Sequence, residues 1–454
     1  MNNKARNEIF LKKTIIREIY MTVSPNNPLF PDMPDWQQQA RDNLWPPYTQ
    51  MRTTPIGLPV SEAEGVRITL ADGRRLIDGV SSWWSVCHGY RHPHIEQAVI
   101  SQMQKLPHIM LGGYQHEPAA RLATRLADLC PGDLNHVFFT DSGSVAIEVG
   151  MKMAIQYWLN NGVKGRHKFL HFRGGYHGDT FATMAVCDPE EGMHSHFSGV
   201  LTPQVLAELP VNDELYERLD MQMAKHADEL AGVLIEPLVQ GAGGMIFHSE
   251  EVLKKVARLC QKHNILLIAD EIMTGLGRLG EMVACQRADV IPDIITFSKT
   301  LTGGTVPLAA TIATSRIFEA FLSDDPAKAL MHGPTFMGNP IGCMAALASL
   351  DLFEQEPRLE QVRAIEKQLE KELEPARGLP AVKDVRVCGS IGVIETTGLG
   401  DVNFLKQRFV EEGVWIRPFG SIIYTIPPYI IGSEDLSKVT SAMVKLAGEL
   451  KSNT

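Results

Sequence analysis

The 454-residue sequence lacks an apolar run that approaches the about 20 residues of a membrane-spanning helix. It also lacks internal repeats and low-complexity segments. The formal net charge is −10 and no long basic run is present, which argues against nucleic acid as the main partner. These absences exclude a membrane channel and a basic nucleic-acid binder, and they favour a protein that acts on small molecules.

Cysteines are few, and no two of the seven have C-x-x-C spacing or form a zinc-finger pattern with histidine. We therefore expect free thiols, no metal site and a cytoplasmic location. The first 20 residues mix basic and apolar side chains as a transit peptide does, but Glu8 and Glu18 are atypical of one. We interpret residues 1–20 as a dispensable extension, with Met21 as an alternative start.

Short, almost wholly apolar runs alternate with helical stretches through the middle of the sequence. Such runs are typical of strands in a parallel sheet that is covered on both faces. We predict an α/β fold: a large doubly wound domain with a mixed or parallel sheet over 81–354, and a smaller α+β domain from both termini. Residues 1–80 would form an arm, irregular over 21–59 where proline and asparagine are frequent, and part of the small domain, and 355–454 the rest. The predicted strands of the large domain are 136–140, 168–172, 232–236, 265–270 and 293–297, and a hairpin is predicted over 66–78.

Polar segments follow several of these strands, at the edge where open α/β sheets bind ligands. The run 141–144 precedes a helix, so it could bind phosphate at the helix N-terminus or merely cap the helix. Tyr176, in a Gly-rich turn, could stack on a flat ligand or be an ordinary half-buried side chain. Thr335, in the turn-rich loop 332–340, could likewise bind phosphate or be an ordinary turn residue of the loop.

Two charged residues follow buried strands. Asp270 and Glu271 end one strand, and a buried carboxylate needs a partner, such as a pyridinium N–H, unless it is solvated. Lys299 follows the next strand and precedes a Gly-rich turn. Most lysines are solvated surface groups, but enclosure here would lower the amine pKa and make the amine nucleophilic.

The order of these segments resembles the class III aminotransferases of fold type I, and the likeness runs from about residue 45 to the C-terminus. It implies a homodimer that uses pyridoxal 5′-phosphate (PLP). Lys299 would form the Schiff base, Asp270 would pair with the pyridine nitrogen and Tyr176 would stack on the ring. The phosphate would be held by Gly143 and Ser144, and by Pro334 and Thr335 from the neighbouring subunit.

Other motifs are similar to one subgroup of that family, which aminates 8-amino-7-oxononanoate to 7,8-diaminononanoate in biotin biosynthesis with adenosylmethionine as donor. They are Trp45-Pro46-Pro47-Tyr48, Ser81-Ser82-Trp83-Trp84, the loop 332–340 and the segment 415–420. By this resemblance Arg417 would bind the carboxylate of the oxo acid, and Tyr48 would also take part in catalysis. The substrate site would further include Trp83, Tyr176, Lys299, Gly333, Tyr424 and Arg278.

The segment 275–280 reads Gly-Leu-Gly-Arg-Leu-Gly where the family commonly has Gly-Phe-Gly-Arg-Thr-Gly, which leaves the amino donor open. Lysine is the alternative donor. The alternative functions are another ω-aminotransferase, a fold type I decarboxylase or racemase, and a non-enzymatic relative.

Overall fold

The computed structural model describes residues 35–190 and 195–451, so the predictions for residues 1–20 and Met21 lie outside the described residues. The strands are β1 Val60–Glu64, β2 Arg67–Leu70, β3 Arg75–Asp78, β4 Leu134–Thr140, β5 Lys168–Phe172, β6 Val205–Ala207, β7 Leu230–Ile235, β8 Val239–Gln240, β9 Ile246–Phe247, β10 Leu266–Asp270, β11 Ile294–Phe297, β12 Ala309–Thr314, β13 Val382–Cys388, β14 Ile391–Thr396, β15 Val414–Trp415 and β16 Ile422–Thr425.

The helices alternate with the strands through the middle of the chain and flank them at both ends. They are α1 Asp35–Asn43, α2 Pro93–Lys105, α3 Glu117–Leu129, α4 Gly143–Asn160, α5 Phe181–Met184, α6 Asp213–His226, α7 Glu250–Lys262, α8 Ala284–Arg287, α9 Ser315–Glu319, α10 Pro340–Gln355, α11 Arg358–Leu373, α12 Val402–Glu411 and α13 Ser433–Glu449. A helical turn over Ser81–Trp84 is left-handed and is described with the site. Within 35–190 and 195–451, no helix is long and apolar enough to cross a membrane.

A seven-stranded sheet forms the centre of the molecule, in the order β4-β12-β11-β10-β7-β5-β6. Its strands are parallel except β12, which runs antiparallel to both of its neighbours. Strands β7, β10 and β11 are buried along their whole length because apolar side chains pack on both faces. This confirms the predicted α/β fold with a mixed sheet, and the five predicted strands lie within two residues of the observed bounds.

Strand β12 was not predicted. Its sequence Ala-Ala-Thr-Ile-Ala-Thr has only one large apolar side chain, although every residue in it is buried. Small side chains fit there because the long helix α4 packs directly against β11 and β12. Thr311 donates its hydroxyl to the carbonyl of Ala146 in α4, at 2.7 Å.

The N- and C-terminal parts of the chain are joined through a second, four-stranded sheet. Strand β15 pairs in parallel with β3, so the predicted hairpin of β2 and β3 continues into the C-terminal region. A three-stranded antiparallel sheet, β13-β14-β16, packs with α11 and α13 over a separate apolar core. The division at residues 80 and 354 stays a prediction.

The region before β1 is more ordered than the irregular arm predicted for it. Helix α1 forms there because glutamine, arginine and alanine favour helix even without an apolar period. The side chain of Gln37 is buried and donates its amide to the carbonyl of Gly57, at 2.8 Å. The prediction of little regular structure over 21–59 was therefore wrong for residues 35–43.

Candidate active site

The carboxyl ends of β4, β5, β7, β10 and β11 meet at one edge of the central sheet, where a cavity of about 150 Å³ opens. Most of the residues that line it lie at the ends of these strands or in the turns after them, while Trp84 follows β3 and Ala242 follows β8. The lining consists of Trp84, Gly143, Ser144, Tyr176, His177, Gly178, Glu236, Ala242, Asp270, Ile272, Met273, Ser298 and Lys299. A larger cavity, of about 330 Å³, lies beside the N-terminus of α2 and contains none of the predicted catalytic residues. The chemistry of the chain is therefore concentrated at the sheet edge.

Within the run 141–144 the capping interpretation is confirmed for Ser142, and phosphate binding stays a prediction. Ser142 caps α4, since its hydroxyl accepts a hydrogen bond from the N–H of Val145 at 3.3 Å. Gly143 and Ser144 face the cavity at the first turn of α4, where backbone N–H groups have no acceptor within the helix. A side chain at Gly143 would press on Ile272, and this end of the helix attracts anions.

The turn after β5 packs against this helix end. The hydroxyl of Ser144 accepts a hydrogen bond from the N–H of Asp179, at 3.2 Å. Gly178 has φ +134°, and a Cβ there would collide with Ser144. Glycine is therefore required at Gly178, because the backbone must adopt this conformation while it touches the helix N-terminus.

Asp270 lies buried at the end of β10 with a histidine beside it. Its Oδ2 lies 2.7 Å from Nδ1 of His177, and its Oδ1 accepts a hydrogen bond from the N–H of Ile272 at 3.1 Å. Burial lowers the pKa of His177, but the hydrogen bond and the charge of Asp270 outweigh burial, so the net shift is upward. This pairing stabilises the carboxylate and fixes its orientation towards the cavity.

Lys299 reaches the cavity from the turn after β11. Its side chain is accessible through the cavity but is otherwise enclosed, and desolvation lowers the pKa of its amine although Asp270 and Glu236 raise it. The ammonium lies 5.1 Å from the ring centroid of Trp84. It forms no hydrogen bond or ion pair with the residues that the structure describes. The amine is thus free to react with a bound molecule.

Two further carboxylates lie near Asp270: Glu236, which also lines the cavity, and Glu271. Glu236 accepts hydrogen bonds from the N–H groups of Tyr176 and Gly241, and burial raises its pKa to about 7. Glu271 accepts from the N–H groups of Ala284 and Cys285, both at 2.7 Å, and burial also raises its pKa to about 7. The adjacent acids at the end of β10 therefore differ in role, because Asp270 faces the cavity and Glu271 binds the N-terminus of α8.

Two tyrosines share one carboxylate at the outer rim. Tyr48 donates its hydroxyl to Oδ2 of Asp179 at 2.5 Å, and Tyr176 donates to Oδ1 at 2.8 Å. The two hydroxyl oxygens lie 3.3 Å apart. Desolvation and the bond to Asp179 raise the pKa of Tyr48 to about 12, so its hydroxyl stays protonated at neutral pH. This places Tyr48, from the segment before β1, next to the turn after β5.

The paired tryptophans lie on a left-handed helical turn. Ser81, Ser82, Trp83 and Trp84 have φ of 48°, 46°, 66° and 74°. The turn has α-type hydrogen bonds, from Trp84 N to Val80 O at 2.8 Å and from Ser85 N to Ser81 O at 2.9 Å. Left-handed helix costs about 1–2 kcal/mol per residue for residues other than glycine, so surrounding contacts must stabilise the turn.

The two tryptophans diverge from this turn. Trp83 is 40% exposed, lies edge-on to Tyr48 with 5.9 Å between ring centroids, and has the guanidinium carbon of Arg417 4.0 Å from its ring centroid. Trp84 is buried and lies beside Lys299. Arg417 forms no hydrogen bond or ion pair with another described residue. An unpaired guanidinium over an aromatic ring is suited to bind a carboxylate.

The remaining predicted site residues lie outside the lining of the cavity. Tyr424 is buried behind Trp84, and its hydroxyl accepts the indole N–H at 3.1 Å. Arg278 is wholly buried and donates to the backbone carbonyl of Trp84 at 2.6 Å, so its guanidinium contacts the turn and not the cavity. Gly333 and Thr335 are exposed and Pro334 is partly exposed, on a loop that contributes nothing to the cavity within one chain.

These groups fit PLP, the cofactor implied by the resemblance. A partly buried lysine without a polar partner among the described residues is available for covalent attachment, and an oriented carboxylate lines the same cavity. The N–H groups at the start of α4 suit the phosphate, and Tyr176 also lines the cavity.

Residues that sequence reasoning had not assigned to the site are His177, Asp179 and Glu236. The signal for the first two was their place in the Gly-Tyr-His-Gly-Asp turn; Glu236 had only its position at the end of β7.

Comparison with known proteins agrees with this geometry. Residues 48–446 match the family "Aminotransferase class-III". The chain is 44% identical over 415 residues to the adenosylmethionine-8-amino-7-oxononanoate aminotransferase of Mycobacterium leprae, covering 89% of this chain and 95% of the relative. The same-named protein of Saccharomyces cerevisiae is 35% identical over 93% of this chain and 98% of the relative.

Solved structures give the same result. A crystal structure of the same-named aminotransferase from Methanocaldococcus jannaschii superposes with a TM-score of 0.87 at 33% identity, covering 91% of this chain and 98% of the other. A PLP-bound amine transaminase from an uncultivated Pseudomonas species superposes with a TM-score of 0.83 at 29% identity, covering 90% and 98% of the two chains. The chain therefore belongs to the class III aminotransferases, which use pyridoxal 5′-phosphate.

Proposed function

We propose that this aminotransferase converts 8-amino-7-oxononanoate to 7,8-diaminononanoate, a step in biotin biosynthesis, with adenosylmethionine as the amino donor. The observation that carries the proposal is the unpaired Arg417 against Trp83, at the outer end of a site whose inner end is Lys299. An oxo acid with a terminal carboxylate and an apolar chain matches this order of groups. The names of the relatives from Mycobacterium leprae and Saccharomyces cerevisiae support the same substrate and donor.

Recognition of the acceptor follows from the two ends of the site. Arg417 binds the carboxylate, since a guanidinium donates two parallel hydrogen bonds to it. The faces of Trp83 and Tyr48 cover the methylenes, because aromatic rings bury apolar area with little loss of entropy. A carboxylate held at Arg417 then places the ketone of the oxo acid near Lys299.

The proton transfers rest on groups of this chain. When bound, PLP withdraws electrons from the reacting carbon of each substrate. Nζ of Lys299 takes the proton from that carbon and later returns one, and its lowered pKa makes the neutral amine available. Asp270 holds a positive charge at the pyridine nitrogen, and His177 keeps the carboxylate oriented. Gly143 and Ser144 bind the phosphate at the start of α4.

A homodimer completes the site in this proposal. The phosphate end is lined by Gly143 and Ser144 alone in one chain, while Thr335 lies on an exposed loop. The Thr335 of the second subunit, with Pro334 and Gly333, would close that end. We also place the enzyme in the cytoplasm, which the seven unpaired cysteines support.

Coexpression of Lys299→Ala and Thr335→Ala subunits tests the shared site. If Thr335 acts on the partner's cofactor, each mixed dimer has one site with both defects and one intact site, so activity reappears. Dimers of either variant alone are the controls. No gain of activity in isolated mixed dimers would place Thr335 in the site of its own chain.

The substrates are tested by absorbance of the purified yellow enzyme. Adenosylmethionine, lysine, alanine and glutamate are added separately, and the loss of the yellow form is followed. Conversion by adenosylmethionine, reversed by 8-amino-7-oxononanoate, is the expected result, and Lys299→Ala is the inactive control. Conversion by lysine alone would change the donor. Conversion by alanine without a response to the oxo acid would identify another ω-aminotransferase.

A further inference from the structure

The left-handed turn Ser81–Trp84 contains no glycine and no asparagine, the residues that adopt this conformation most readily. It nevertheless carries the two aromatic side chains that border both ends of the substrate site. Contacts outside the turn must therefore hold its backbone, and two buried charged residues supply them.

Asp78 holds the entrance of the turn. Its Oδ1 accepts a hydrogen bond from Val80 N at 2.9 Å, and its Oδ2 accepts from Ser82 N at 2.7 Å and from the hydroxyl of Tyr90 at 2.6 Å. Asp78 is completely buried. The hydroxyl of Ser81 adds a bond to the carbonyl of Ile426, at 2.7 Å. The carboxylate thus binds backbone N–H groups on both sides of the point where the chain enters the left-handed region.

Arg278 binds the C-terminal end of the turn. Its Nη2 donates to the carbonyl of Trp84, the last left-handed residue, at 2.6 Å, and Nη1 lies 3.4 Å from the hydroxyl of Ser390. The guanidinium carbon also lies 5.0 Å from the ring centroid of Tyr429. Arg278 is wholly buried, so its contacts with the substrate site pass through the Trp84 backbone.

We propose that Asp78 and Arg278 are positioning residues that hold Ser81–Trp84 in the left-handed conformation. The turn thereby fixes the position of the carboxylate-binding group, Arg417, relative to the reacting end of the site at Lys299. A right-handed turn would rotate Trp83 away from Arg417 and Tyr48, and Trp84 away from Lys299. The part that concerns Arg417 rests on the proposed function. The part that concerns the turn rests only on the contacts of Asp78 and Arg278.

The test uses Asp78→Asn, which keeps the size of the side chain but replaces an accepting oxygen by a donor. Loss of a charge-assisted hydrogen bond predicts that KM for the oxo acid rises about tenfold while kcat falls less. Arg278→Lys, which cannot reach Trp84 O and Ser390 together, predicts the same KM-against-kcat split. Asp72→Asn, at an exposed turn of the same hairpin, is the matched control and keeps the wild-type KM.

Rescue by glycine separates positioning from stability. Because glycine adopts positive φ without strain, Ser82→Gly in the Asp78→Asn background should recover most of the KM. Asn264→Gly, also at a positive φ of 49° but between α7 and β10, should not recover it. The near-ultraviolet circular dichroism of the enzyme without cofactor should change in Asp78→Asn and return in the Ser82→Gly double variant.

An unchanged KM in both Asp78→Asn and Arg278→Lys, or equal rescue by Ser82→Gly and Asn264→Gly, would overturn the proposal. Failure of Asp78→Asn to fold would leave Arg278→Lys to decide it. If the wild-type enzyme does not accept 8-amino-7-oxononanoate, the proposed substrate fails. The circular dichroism series then still tests the turn.

Discussion

Nδ1 of His177 lies 2.7 Å from Oδ2 of Asp270, and both side chains are buried below the cavity. The second oxygen of Asp270 accepts the N–H of Ile272, so each oxygen of the carboxylate has a fixed partner. A carboxylate with fixed partners cannot rotate away from a cofactor nitrogen. The function of Asp270 therefore depends on His177, the residue that directly follows Tyr176.

Replacement of His177 tests this dependence. His177→Phe removes the hydrogen bond to Asp270, and a hydrogen bond to a charged group is worth about 1.5–3 kcal/mol, so turnover should fall about 10- to 100-fold. His177→Asn can still donate to Asp270 and should retain more activity. His171→Gln, on β5 ahead of the turn that carries His177 and without a bond to Asp270, is the control. Equal activity of the Phe and Asn variants would contradict the role of the hydrogen bond.

Lys299 is expected to be indispensable for covalent attachment of the cofactor. Lys299→Ala removes the only described amine in the cavity lining, so the yellow absorbance and the turnover should both be lost. Lys262→Ala, an exposed lysine that pairs with Asp220, should keep both. Turnover at the wild-type rate in Lys299→Ala would show that the residue has been assigned wrongly.

Arg417 is expected to act on binding more than on chemistry. Arg417→Met keeps the length of the side chain but cannot bind a carboxylate, so KM for the oxo acid should rise about 10- to 100-fold, the effect of about 1.5–3 kcal/mol. The KM of Arg417→Lys should lie between those of the wild type and Arg417→Met, because an ammonium is charged but lacks the bidentate geometry. Folding should change little, since Arg417 has no ion pair with a described residue.

The control for Arg417 is Arg258→Met. Arg258 is an exposed arginine of α7 that pairs with Glu251 and does not line the cavity. Steady-state rates at varied concentrations of the oxo acid give kcat and KM. A fall of kcat in Arg417→Met at constant KM would show that Arg417 acts at the reacting end instead.

The sequence predicted the central sheet and the edge that carries the cavity well because both depend on residues that are close together in the sequence. Asp270 and Lys299 each interrupt an apolar run, and a charged group at such a place must be solvated, paired or used. The structure brings both to one cavity, as predicted. Strand bounds were accurate for the same reason, since short apolar runs such as β7 and β10 begin and end sharply.

Features that depend on contacts distant in sequence could not be predicted. The left-handed turn at Trp83 contains no glycine that would indicate a positive φ from the sequence. It forms because Asp78 and Arg278 bind its two ends. Arg278 was assigned to the substrate by resemblance, and its contact with the Trp84 carbonyl could only be seen in three dimensions. Direct contact with substrate stays a prediction for Arg278, while its place behind the turn supports an indirect role.

Glu271 makes the stability of the fold depend on pH. Its pKa is raised by burial to about 7, against an ordinary value of 4.5, so the folded protein binds a proton there more tightly than the unfolded chain. The stabilisation is complete below pH 4.5 and is lost as the pH rises through about 7. From pH 5.5 to 8.5, this group should lower the free energy of unfolding by about 2 kcal/mol.

The variant Glu271→Gln isolates that contribution, since glutamine does not titrate. Its single oxygen can accept only one of the N–H groups of Ala284 and Cys285, so the variant should be less stable than wild type at pH 5.5. The difference should shrink by about 2 kcal/mol at pH 8.5, because only the wild type must then ionise a buried carboxyl group. Urea unfolding of the enzyme without cofactor at the two pH values measures it. A difference that is constant with pH would mean that Glu271 is already ionised at pH 5.5, and that the N–H groups of Ala284 and Cys285 compensate fully for its burial.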